Sequence, residues 1–178
     1  GGADWFGVTC DGPDVVSLSF LPPELETVVQ GGSLTGYDDS YNVYVLKVLN
    51  ETGNNLRGSL PTELFGLSTL TKALMLPFNY ELSGTIPTEA GQLSKLSGFF
   101  AIPGAKLSGY LPSQVGRLSD LTKGFILRFN RLSGTIPGDI TNIQKLGTSE
   151  IRTQSALTLS YNRFMGPAPG GLADMGDA

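Results

Sequence analysis

Asparagine returns at one register of this 178-residue chain, at Asn54, Asn79, Asn130 and Asn162, three of them a few residues after an alternating apolar pair. A column of amides invites a catalytic reading. It also suits a purely structural one, in which an inward Asn at one place per unit satisfies the backbone of neighbouring units at a turn. The structural reading is adopted, because little else here supports catalysis. Histidine is absent, which removes the commonest general base and metal ligand. The one cysteine, Cys10, excludes an internal disulfide and any multi-cysteine metal site. The only adjacent carboxylates, Asp38 and Asp39, sit in a polar stretch, whereas acid–base catalysis needs two carboxylates held apart in a cleft. No catalytic residue, metal site or cofactor is expected.

The elements that carry these residues form a repeat. Leu56-Arg-Gly-Ser-Leu-Pro61, Leu82-Ser-Gly-Thr-Ile-Pro87, Leu107-Ser-Gly-Tyr-Leu-Pro112 and Leu132-Ser-Gly-Thr-Ile-Pro137 match one another, and Phe164-Met-Gly-Pro-Ala-Pro169 is a degenerate fifth. Their glycines, at 58, 84, 109, 134 and 166, are spaced 26, 25, 25 and 32 residues apart. Such periods mark stacked units that bury their apolar residues only against one another. Upstream of each glycine the pairs Leu74/Leu76, Phe100/Ile102, Phe125/Leu127 and Leu157/Leu159 alternate with period two, the signature of a strand. In the first unit Leu46, Val48 and Leu49 stand in that place with about three extra residues, and in the third unit Ala105 replaces the Asn. Downstream, Leu93/Leu96 and Leu118/Leu121 lie three apart, which suits a short helical turn.

The sequence divides into 1–45, a partial cap with an irregular first coil, 46–172, about five repeats, and a tail at 173–178. Charged residues make up 16%, and 12 basic against 16 acidic side chains leave a net charge of −4, so nucleic-acid binding is not expected. Residues 1–51 hold eight acids and one base, the remainder eight acids and eleven bases. No apolar run reaches the eighteen or so residues of a membrane span, so this segment is expected to make no membrane contact.

These units resemble the plant-type leucine-rich repeat, L-x-x-L-x-L-x-x-N-x-L-S-G-x-I-P-x-x-L-G-x-L, over about 46–172. Asp4-Trp-Phe-Gly-Val-Thr-Cys10-Asp11 with Val15-Val-Ser-Leu-Ser-Phe20 is similar to the end of that family's amino-terminal cap. The resemblance implies an α/β fold, a right-handed solenoid with a curved parallel β-sheet inside and short 3-10 or α segments and loops on the convex side. In the family the last cap cysteine pairs with one a little upstream. Here either that partner lies in a longer chain, of which this is a fragment, or Cys10 is a free thiol; the missing upstream helix favours the fragment.

The family's members include receptor ectodomains, often joined to a cytoplasmic kinase, and secreted inhibitors of cell-wall-degrading enzymes. The resemblance therefore implies a non-catalytic, extracellular module that binds a protein or peptide on the concave face. The second reading is a structural or adhesive protein of a cell wall or surface, with a glycan as partner. Alternation against the inward leucines puts Met75, Phe99, Ala101, Ile126, Arg128 and Thr158 on the concave face, where they are expected to form an exposed binding strip with Arg128 facing an acidic group. A one-residue slip would exchange the two faces. Phe78, Phe129 and Tyr161, each just before a ladder Asn, suggest an aromatic column able to stack on sugars. Asn50-Glu-Thr52 is the one N-glycosylation sequon.

Overall fold

The computed structural model describes residues 8–11, 14–19, 56–148 and 156–172. Two sheets and a column of 3-10 turns run side by side through it. The main sheet has six strands, in the order β1 (Val8–Asp11), β2 (Asp14–Ser19), β4 (Ala73–Met75), β6 (Phe99–Ala101), β8 (Gly124–Ile126) and β10 (Leu157–Thr158). The second has five, β3 (Arg57–Ser59), β5 (Glu81–Gly84), β7 (Lys106–Tyr110), β9 (Arg131–Gly134) and β11 (Arg163–Phe164). From β3 onward every strand pairs in parallel with its counterpart one repeat away. That is the topology of a chain coiling at a fixed period.

Each coil closes through a 3-10 helix: Thr62–Gly66, Thr88–Gln92, Ser113–Arg117 and Gly138–Asn142. The repeat prolines start them. Pro61, Pro87, Pro112 and Pro137 sit at the N-caps with φ between −73 and −67°, and each carbonyl accepts a bond from the N–H three residues on. The leucines spaced by three come next. Leu96 N–H donates to the Leu93 carbonyl at 2.9 Å and Leu121 N–H to that of Leu118 at 3.1 Å, so this spacing is a second i to i+3 turn.

The core is the space between these elements. Leu74, Phe100, Phe125 and Leu157 form one buried column from the main sheet; Leu82, Leu107 and Leu132 form another from the second sheet; Phe65, Ala90, Val115 and Ile140 a third from the 3-10 side. Phe100 and Phe125 stack at 5.2 Å and 15°. The columns are continuous from coil to coil, as burial by stacking requires.

At the amino-terminal side β1 and β2 pair antiparallel, with a bulge between Thr9 and Cys10, and β2 continues the sheet by pairing in parallel with β4. The neighbour of β4 on that side is therefore β2. Residues 46–49 themselves, with Asn50 and Asn54, lie outside the described residues.

Candidate functional site

The Asn column bridges coils. Asn79, fully buried, accepts the Leu56 N–H at 3.0 Å on Oδ1 and donates to the Pro77 carbonyl at 3.2 Å. Asn130 accepts the Leu107 N–H at 3.0 Å and donates to Ile102 at 2.8 Å and Leu127 at 2.9 Å. Asn162 repeats this with the Leu132 N–H at 3.0 Å and the carbonyls of Leu127 and Leu159, both at 2.9 Å. Each amide is thus bonded to the backbone. Where Ala105 breaks the column, the orphaned Leu82 N–H turns instead to the carbonyl of Asn79, at 2.9 Å.

The far face of the main sheet, the one the fold makes concave, carries two rows. Ala73, Phe99 and Gly124 are in register along one, and Met75, Ala101, Ile126 and Thr158 along the other. The two faces are thus assigned as the alternation predicts, but the exposure is not. Met75 keeps 4% of its surface accessible and Ala101 3%, so neither belongs to an exposed strip. Ala73, Met75, Phe78 and Ala101 form a second apolar cluster with Phe99 and Ile126 packed against it. Small residues alternate with large ones across the strands, which lets the large side chains lie over the small. The Phe99 ring comes within 2.9 Å of where a Gly124 Cβ would stand. Phe99, Ile126 and Thr158 remain half-buried, and Arg128, just beyond β8, is also partly open.

A feature of the flank has only a faint signal in the sequence. The residue before each ladder position adopts a left-handed backbone: Phe78 at φ 51°, Gly104 at 67°, Phe129 at 58° and Tyr161 at 56°. Aromatics are unusual there, at a cost of about 1–2 kcal/mol each. Gly104, in the same column, is the sign that the position demands this geometry. The Phe78 ring lies over Gly104, 2.4 Å from where its Cβ would be, and is buried at 2% exposure. Phe129 and Tyr161 stack at 4.4 Å and 13°, with 39% and 72% of their surfaces open. Between Phe78 and Phe129 the small Gly104 and Ala105 leave a shallow groove of about 270 Å³, whose remaining wall is Tyr80. The predicted aromatic column is therefore split: one ring is a floor and two stand out from the surface.

Arg128 precedes Phe129, one wall of this groove, in the chain. Its guanidinium carbon lies 5.2 Å from the centre of the Phe129 ring, and its Nε is buried without a hydrogen-bond partner. A buried unmet donor costs about 1–3 kcal/mol, more for a charged group. Burial also pushes the guanidinium pKa below its usual value, with the nearby Tyr161 phenol acting the other way. It stays protonated regardless. The two ion pairs among the described residues, Lys106–Glu81 and Lys145–Asp120, both lie elsewhere.

No protein-family model matches this sequence, and no curated protein is significantly similar to it. Solved structures are. A plant ice-binding protein matches 97% of this chain at TM-score 0.64 and 22% identity, over 43% of its own length, a likeness of fold. The PEPR1–AtPEP1 complex matches 96% of the chain at TM-score 0.61 and 25% identity, over 22% of that protein. The plant peptide hormone receptor RGFR1, in complex with RGF2, matches 69% at TM-score 0.52 and 27% identity, again over 22% of its length. The chain folds as a leucine-rich-repeat solenoid, similar to those of these plant receptors. It spans less than half the length of each of these three proteins. Among its described residues no helix is long and apolar enough to cross a membrane.

Proposed function

We propose that this solenoid is an extracellular recognition module that binds a protein or peptide on the open part of its concave face. The observation that carries the reading is the partly open group of Phe99, Ile126, Arg128 and Thr158, centred on a cation whose Nε has no partner among the described residues. Met75 and Ala101 enter this reading as the packed floor that holds Ile126 in place, not as contact residues. Support comes from the receptors of similar fold, one of which is a plant peptide hormone receptor crystallised with RGF2. Extracellular placement follows the same likeness, and it makes Asn50 a glycan acceptor. Secreted protein is expected to lose mass on treatment with a peptide N-glycosidase, and Asn50→Gln to abolish that loss; an unchanged mass in the parent counts against the placement.

The binding reading is tested by panning a random peptide library against the purified chain and against Ile126→Asp. Ile126 is half-buried at the edge of the second cluster, so a melting curve must accompany the variant. Peptides that share a motif and lose about tenfold or more in affinity for folded Ile126→Asp, a difference of about 1.4 kcal/mol, support the reading. Peptides that bind both equally contradict it.

A further inference from the structure

We infer that the outer face of the second sheet, from β5 to β11, is an interface for a folded partner protein that presents clustered carboxylates beside apolar side chains. Two observations meet on this face. The first is where the open apolar surface lies. Among the described residues the large hydrophobic side chains left exposed are Tyr80, Tyr110, Phe129, Tyr161 and Met165. Every one of them lies on a strand of the second sheet or within two residues of one, and neither the concave face nor the 3-10 side adds another. Exposed apolar side chains gathered on one side of a soluble protein mark an interaction surface.

The second is charge. Along these strands Leu82, Leu107 and Leu132 turn into the core, so the residues before them, Glu81, Lys106 and Arg131, turn outward, as does Arg163 in β11. The register sets Lys106 beside Ser83, Arg131 beside Ser108 and Arg163 beside Ser133. Each of these serines donates its hydroxyl to a glycine carbonyl of the preceding coil. They form a low floor from which the cations rise, with Tyr110 on the other side of Ser133. Glu81 is the one acid on these strands, and Lys106 takes it at 2.7 Å. Arg131 and Arg163 make no ion pair among the described residues.

The chemistry of the partner follows from these neighbours. Two arginines and a lysine on a flat floor are met by carboxylates. Tyrosine, phenylalanine, methionine and arginine are the side chains enriched where protein surfaces bury each other. A long polyanion fits less well, because the row changes sign at Glu81 and the whole chain carries a net charge of −4. Stacking on sugars fits less well too. Phe129 and Tyr161 already spend a face on each other, and the Tyr110 ring lies over Gly134, 2.4 Å from where a Cβ would be. Strands β5, β7 and β9 have a neighbour on both sides, so no peptide can join them as an added strand. Recognition runs through side chains, on a surface matched by another folded surface.

This interface does not rest on the concave-face reading, and the experiment keeps the two apart. A displayed library of one small helical domain with a randomised face is selected on the whole 178-residue chain. The expected binders are enriched in Asp and Glu next to aromatic or aliphatic residues. They lose about tenfold or more in affinity when Arg131→Glu is combined with Arg163→Glu, and a similar factor with Tyr110→Thr, but bind Ile126→Asp unchanged. Added salt weakens them. Tyr110→Thr installs what Thr85 and Thr135 supply at the same place in sister coils, so it should fold. Melting temperatures within a few degrees of the parent show that each variant does. The inference is overturned if the binders map to the concave face or the 3-10 side, if they carry no excess of acid, or if the folded charge-reversal variant keeps full affinity. It is equally overturned if polygalacturonate binds this face more tightly than they do, if the chain sediments as its own oligomer through it, or if no binder is selected.

Discussion

Asn130 joins four backbone groups of two coils through one amide, and it is buried. Replacing it with Ala strands the Leu107 N–H and several carbonyls, so Asn130→Ala is expected to cost about 2–3 kcal/mol in urea denaturation. Asn162→Ala, at a half-buried rung, should cost less. This part of the molecule was readable from residue type and spacing alone, because an inward polar residue at a fixed period has backbone as its natural partner. The exposure of Met75 and Ala101 was not. Alternation says which face a side chain takes, but whether that face is covered depends on which sizes meet across strands, and only the register of Ala73, Phe99 and Gly124 reveals it. The Glu81–Lys106 pair belongs to this scale too. The Lys106 hydrogen bond and charge hold the Glu81 carboxyl below its ordinary pKa. A lowered folded-state value gives stability that is present above the ordinary carboxylate range and lost as pH falls through the lowered value. Since the pair is exposed, the effect is small. The melting curves of the parent and Glu81→Gln should differ slightly at neutral pH and meet in acid.

The 3-10 turn is the element in which glycine is needed for space instead of angle. A Cβ on Gly116 would sit 2.1 Å from the Asp139 carbonyl of the next coil, and one on Gly91 2.3 Å from that of Gln114, whereas Gly66 at the same place in its turn meets nothing within 4 Å. Gly116→Ala must push two coils apart, at about 1–3 kcal/mol, while Gly66→Ala should be near neutral; thermal denaturation distinguishes them. Prolines and leucines announced these turns in the sequence, down to the i to i+3 bond that the three-residue spacing implies. The strand beside β4 was less legible. Strand β2 of the amino-terminal hairpin takes that place, and nothing in the periodicity of the later units announces it.

Over the whole molecule, stability is shared between adjacent coils, since each residue of the core column touches the coil before and the coil after. Phe125→Ala is expected to cost about 3–5 kcal/mol. Combined with Phe100→Ala it should cost less than the sum, because the two rings stack on each other and the second truncation has no partner left to lose. What the solenoid builds with that stability is a rigid outer surface: a packed far face, a flank of aromatics in left-handed backbone, and a half-buried arginine whose Nε has no partner among the described residues. The repeat made the architecture legible. The site was only half so, because Arg128 and the aromatics were visible as residues, while the groove needed the single Gly104-Ala105 interruption to be placed between Phe78 and Phe129 in space. The central claim is that this surface recognises a ligand, and the most direct test is the affinity of peptides selected on the parent chain for folded Ile126→Asp. A loss of about tenfold or more is the predicted result. Equal affinity, or no selected motif at all, would contradict it.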